Sequence, residues 1–85
     1  MTKYDRVFKW FSAVSRNELC ISIAGMELVQ GFPMPKSARR HRAWWANQRG
    51  TGTHVQSRAW LDAGFEVKRA DLARELIIFG RRAQQ

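Results

Sequence analysis

Disulfides, membrane spans and clustered carboxylates are what this sequence lacks. One cysteine in 85 residues permits no intramolecular bridge. Small secreted chains usually carry several, so the cytoplasm is the expected compartment. Cys20 sits in the apolar run Leu19-Cys20-Ile21, which predicts a buried structural thiol. No stretch approaches the ~20 consecutive apolar residues of a membrane span. The opening Met1-Thr2-Lys3-Tyr4-Asp5-Arg6 has no apolar core of the signal-peptide kind, so no membrane association is expected. There is no CxxC and no HxxxH, and the two histidines, His41 and His54, are distant from Cys20, so no metal site is predicted. A metal-dependent nuclease needs clustered carboxylates, and the middle of the chain has none. His54 and Asp62 are eight residues apart on one expected helix, a rise of ~12 Å, too far to form a catalytic pair. The expectation is a protein that is no enzyme and holds no cofactor.

What is abundant is apolar side chain and positive charge. Apolar residues make up 45% of the sequence, enough for one core and too many for a disordered tail. Residues 1–85 are expected to form a single basic domain. At this size only ~60% of the unfolded surface is buried on folding, so each aromatic counts heavily. Fifteen Lys and Arg against seven Asp and Glu give a net charge of +8. Eleven of the fifteen are arginine, which favours planar, bidentate contacts to phosphate or carboxylate over simple solubility. Charge of this kind bears on partners, polyanions or acidic protein surfaces, and not on fold.

Periodicity supplies the elements. Tyr4, Val7, Phe8, Phe11 and Val14 recur at spacings of three and four, predicting an amphipathic helix over 4–14 with Trp10 at its flank. Glu18 to Ser22 reads as a short strand. Ser22 is the expected cap of a second helix, Ile23 to Gln30, with Met26 and Leu28-Val29 supplying apolar contacts and Gly31 ending it. Phe32-Pro33-Met34-Pro35 is a stiff connector. A third helix is predicted over 36–47. After a glycine-bearing loop, Thr53 can cap a fourth helix from His54 to Ala63, with Gly64 as its stop. Phe65 and Val67 alternate with Glu66 and Lys68, Asp71 to Arg74 turns the chain, and Glu75 to Phe79 returns it as a hairpin. Gly80-Arg81-Arg82 and the glutamine-rich end are expected to fray. The fold class is therefore α+β and winged-helix-like: about four helices, with a short strand and a C-terminal hairpin forming a small antiparallel sheet.

The charge is also segregated. From Leu28 to Leu61 there is no acidic residue, while Lys36, Arg39, Arg40, Arg42, Arg49 and Arg58 fall there with Trp44, Trp45 and Trp60. Arginines neutralise phosphates and reach guanine bidentately, and Asn or Gln can pair with adenine. The candidate nucleic-acid-binding residues are Lys36, Arg39, Arg40, Arg42, Trp44, Asn47, Arg49, His54, Gln56 and Arg58. At ~100° per residue, Arg39, Arg40 and Arg42 fan out around a helix, so they cannot all face one groove. Trp45 and Trp60 are expected in the core. Trp44 points elsewhere, and could stack on a base or fill a partner pocket. Gly50-Thr51-Gly52-Thr53 lacks the ending of a nucleotide-binding loop and follows no strand, so a loop touching nucleic-acid backbone is the preferred reading.

The string Ser37-Ala38-Arg39-Arg40-His41-Arg42-Ala43-Trp44-Trp45-Ala46-Asn47, continued by Ala59-Trp60-Leu61-Asp62-Ala63-Gly64-Phe65, resembles the signature of a family of small bacterial and phage proteins, a domain of unknown function. The glycine-bearing loop between Asn47 and His54 departs from that pattern. The resemblance implies a phage or bacterial origin and one compact unit, and carries no functional residues. The expected function is nucleic-acid binding of a regulatory kind, DNA ahead of RNA, with about four to six phosphate contacts and a log–log salt slope of about −4 to −5. The alternative is a phage-encoded protein-binding inhibitor of a host defence complex, of the anti-CRISPR or anti-restriction type, meeting an acidic protein surface.

Overall fold

The structure, a computed structural model, describes residues 3–47 and 55–82. The expected glycine-bearing loop, the Thr53 cap and the glutamine-rich end lie outside the described residues, as do Arg49 and His54. Helix α1 spans Asp5–Ser12 and buries Val7 and Phe11, one turn apart, with Tyr4 before them. This stripe is narrower than the predicted one. Phe8 lies ~100° round from Val7, on the outer side, and is 40% exposed. The helix also ends short of Val14, because the Ala13 N–H reaches back to both Lys9 and Trp10 carbonyls and tightens the last turn.

Strand β1, Glu18–Ser22, turns Leu19 and Ile21 toward the core. Successive strand residues face opposite sides, so Cys20 between them points outward. The thiol is exposed, contrary to the expected burial. Helix α2, Ile23–Gln30, begins where the Ser22 hydroxyl accepts the Gly25 N–H at 2.8 Å. It ends at Gly31, whose φ of 86° only glycine adopts without strain. Ile23, Met26 and Gln30 form its buried side. Leu28, two residues beyond Met26 and hence ~200° away, is 85% exposed and makes none of the predicted core contact.

The predicted helix over 36–47 is two pieces. Helix α3 covers Lys36–Arg40, the chain straightens at His41 (φ −127°, ψ 116°), and a 3-10 turn covers Arg42–Trp45. The cause is tertiary. An unbroken helix would hold Trp45 about 10 Å along the axis from Ala38. In the broken one the Trp45 indole N–H donates to the Ala38 carbonyl at 2.7 Å, and its ring stacks on Trp60 at 5.8 Å. Helix α4, Val55–Leu61, carries Trp60 into the core.

After Gly64 come β2, Phe65–Asp71, and β3, Leu76–Arg81. The sheet is antiparallel in the order β1-β3-β2, so the last strand in sequence is the middle one. The predicted fraying of Gly80-Arg81-Arg82 is therefore wrong. Gly80 is paired with Glu18 on one side and Glu66 on the other, the Arg81 N–H donates to the Asn17 carbonyl and the Arg82 N–H to the Gly64 carbonyl. Four helices and a small antiparallel sheet make this the α+β architecture expected. Its core is aromatic: Phe11 meets Phe79 at 4.7 Å and Phe65 at 5.4 Å, and Trp60 meets Phe79 edge-on. Among the described residues, no helix is long and apolar enough to cross a membrane.

Candidate nucleic-acid interface

The basic residues divide by what their side chains hold. Arg39 grips Glu27 with two nitrogens, at 3.1 and 3.2 Å, and lies 3.6 Å from Glu75 in the hairpin turn. Glu27 also accepts the Met34 N–H at 2.7 Å. The hydrogen bond from Arg39, with that from Met34, holds the Glu27 carboxyl below the ordinary value, and the same pairing raises the Arg39 guanidinium. Arg39 thus ties α2, α3 and the hairpin together. Arg81 lies over the Phe65 ring, its Cζ 4.2 Å from the centroid, and donates to the Val14 carbonyl, and Arg82 donates to the Leu61 carbonyl.

Two amides singled out as base-reading candidates are internal as well. The Asn47 oxygen accepts the Val67 N–H at 2.8 Å and the Trp60 indole N–H at 3.2 Å, while its NH2 donates to the Val67 carbonyl at 2.9 Å. Its side chain behaves as a one-residue strand, closing the outer edge of β2. Gln56 is buried and donates to the Trp44 carbonyl. Trp44 is half-buried, edge-on against Trp45 at 4.7 Å. Arg58 on α4 is exposed and lies 3.7 Å from Asp62. Lys36 and Arg40 are exposed on α3, and Arg42 on the 3-10 turn.

Arg42 faces a groove of about 490 Å³ between that turn and strand β2, floored by Trp45 and Asn47. The opposite wall holds Lys68 and Arg69. Their placement follows from an irregularity in the strand. Val67 is opposite Phe79 and Arg69 is opposite the very next residue, Ile78, so Lys68 is an extra residue in β2. Such a bulge interrupts the alternation of a strand. Ile78 faces away from the core residues Ile77 and Phe79, and Arg69 opposite it faces the same way. The Lys68 stem rests on Gly80, where an added Cβ would come within 2.8 Å of Lys68 Cε. Two consecutive cations therefore stand on the outer side of the sheet, beside Arg42. The one carboxylate lining the groove is Asp71, 3.9 Å from Arg69 and 4.0 Å from Arg74. Lys68 pairs with Glu66 at 2.6 Å.

Of the predicted residues that the structure describes, it thus brings only Arg42 and Asn47 to this groove, Asn47 as part of its frame. Lys68 and Arg69 were missed. A signal for them existed: Val67 and Ala70 are both apolar and three apart, which a strict two-residue alternation cannot turn to one side. An extra residue between them was implied, and both intervening residues are basic.

Fold and groove together define a small α+β protein with a cleft between a turn and a hairpin, lined by three cations and Asp71. The model of the family described as Domain of unknown function (DUF7662) matches residues 4–83, and the chain belongs to that family. No curated protein and no solved structure matches it.

Proposed function

We propose that this protein is a nucleic-acid-binding domain, acting on DNA ahead of RNA, and that the groove between the 3-10 turn and β2 receives the phosphate backbone. The observation that carries the reading is that Arg42, Lys68 and Arg69, from two separate elements, line one concavity. Cations held this way neutralise neighbouring phosphates and release their counterions on binding. The net charge of +8 adds long-range attraction for a polyanion. Lys36, Arg40 and Arg58, exposed on α3 and α4, extend the positive surface without lining the groove. In this reading the protein is a binding module and no enzyme, it works in the cytoplasm, and its origin is bacterial or phage.

Fluorescence anisotropy with a labelled duplex, titrated from low to moderate salt, tests it. Binding that weakens steadily with salt is the expected result, the three groove cations alone contributing a log–log slope of about −2.7 on duplex DNA. Absence of binding even at the lowest salt rejects the reading.

A further inference from the structure

Resting on that reading, we infer that the groove takes the phosphodiester backbone of a duplex and leaves base edges unread, so that the protein binds without regard to sequence. Three observations lead there.

The first is shape. Base edges lie recessed in the grooves of a duplex and are reached by an element that projects into them, whereas the sugar–phosphate backbone is a ridge. Arg42, Lys68 and Arg69 line a concavity. A ridge fits it and a recessed edge does not.

The second is the state of the amides that would otherwise read adenine. The Asn47 oxygen accepts twice, and one N–H of its NH2 donates to the Val67 carbonyl. Turning Asn47 toward a base would orphan a strand N–H and an indole N–H, a penalty at least as large as the gain from one base contact. Gln56 is buried beneath Trp44.

The third is α4. It directly precedes the hairpin, the place a base-reading helix would hold in a winged-helix-like layout. Yet Gln56, Ser57, Ala59, Trp60 and Leu61 are all buried, and its exposed Arg58 pairs with Asp62 just past its end. Among the described side chains of this helix, packed on α1 and β2, only Arg58 is left to meet a major groove.

The test compares the full chain on three duplexes of equal length, one A·T-rich, one G·C-rich and one mixed, at a single salt concentration. A duplex RNA and inorganic polyphosphate, which has the charge and no bases, serve as competitors. Expected are dissociation constants within about threefold across the three DNAs, where sequence-specific proteins discriminate by ~10³ or more, and displacement of all three to the same extent by polyphosphate. Arg69→Ala should weaken the three by one common factor. A preference above about thirtyfold for one DNA, or an Arg69→Ala effect confined to one of them, overturns this inference and leaves nucleic-acid binding standing. Failure to bind any duplex at low salt overturns the underlying reading and this inference with it.

Discussion

Arg39, Arg81 and Arg82 differ from Arg42, Lys68 and Arg69 in what they would lose if a polyanion arrived. The first three are fastened to the protein, by two hydrogen bonds to a carboxylate, by an aromatic face and by backbone carbonyls at 67 and 21 residues' remove. Breaking those bonds would loosen the fold. Of the second three, Arg42 is exposed, and Lys68 and Arg69, 47% and 71% exposed themselves, pair with Glu66 at 2.6 Å and with Asp71 at 3.9 Å; phosphate can replace the partners of such exposed cations at small cost. Net charge counts both sets alike. Only anchoring separates cations that build the molecule from cations that can recruit something else.

The sharpest way to stress the anchored side of this contrast is Asn47→Ala, which removes the frame common to the groove and the core. It leaves the Val67 N–H and the Trp60 indole N–H without their acceptor, at ~1–3 kcal/mol each, so a loss of about 3 kcal/mol is expected from urea unfolding. A change below ~0.5 kcal/mol, the size of an ordinary surface substitution, would show that Asn47 is not the clamp. Next is Arg81→Ala, which forfeits a ring contact and a hydrogen bond and should lower stability by ~1–2 kcal/mol. Arg42→Ala, Lys68→Ala and Arg69→Ala should reverse that pattern. Each should leave stability within ~0.5 kcal/mol of the parent and weaken duplex binding roughly tenfold near 0.1 M salt.

Asp71→Asn should tighten binding by a few fold at low salt and by less at high salt, where the groove's own negative charge is already screened. The Asn oxygen can still accept the Arg74 N–H that Asp71 accepts at 3.2 Å, so the turn itself should survive. The smallest expected effect is on pH. Arg39 and the Met34 N–H hold the Glu27 carboxyl below its unfolded value. Its contribution is therefore fully present above the unfolded pKa of about 4.3 and is lost as pH falls through the depressed folded value. Glu27→Gln should show a shallower loss of urea stability between neutral and acid pH than the parent; an unchanged slope would deny the Arg39 pairing any weight.

Much of the fold was readable along the chain because its signals are local. Ser22 before Ile23 is a cap that satisfies the Gly25 N–H, Gly31 takes the left-handed conformation that closes α2, and the hairpin expected to turn at 71–74 turns one residue later, at 72–75. The break at His41 was not readable. Nothing between Lys36 and Asn47 is a helix breaker, and the interruption is imposed by where Trp45 must go to reach Ala38 and Trp60. Cys20 and Leu28 were misjudged for a different reason: each is apolar beside apolar neighbours, and which way it faces is set by strand alternation and helix phase. The candidate site was half legible. Acid-free sequence from Leu28 to Leu61 does contain Arg42, but the partners of Arg42 across the groove come from the hairpin, outside that stretch. Charge density along a chain does not specify which cations meet in space.

The convergence of three cations on one groove is tested most directly by the salt slope of duplex binding for the parent and for the Arg42→Ala, Lys68→Ala, Arg69→Ala triple variant, with thermal unfolding recorded beside it. The account predicts a slope shallower by about 2.7 in a variant that unfolds where the parent does. A triple variant with the parent's slope and affinity would contradict it.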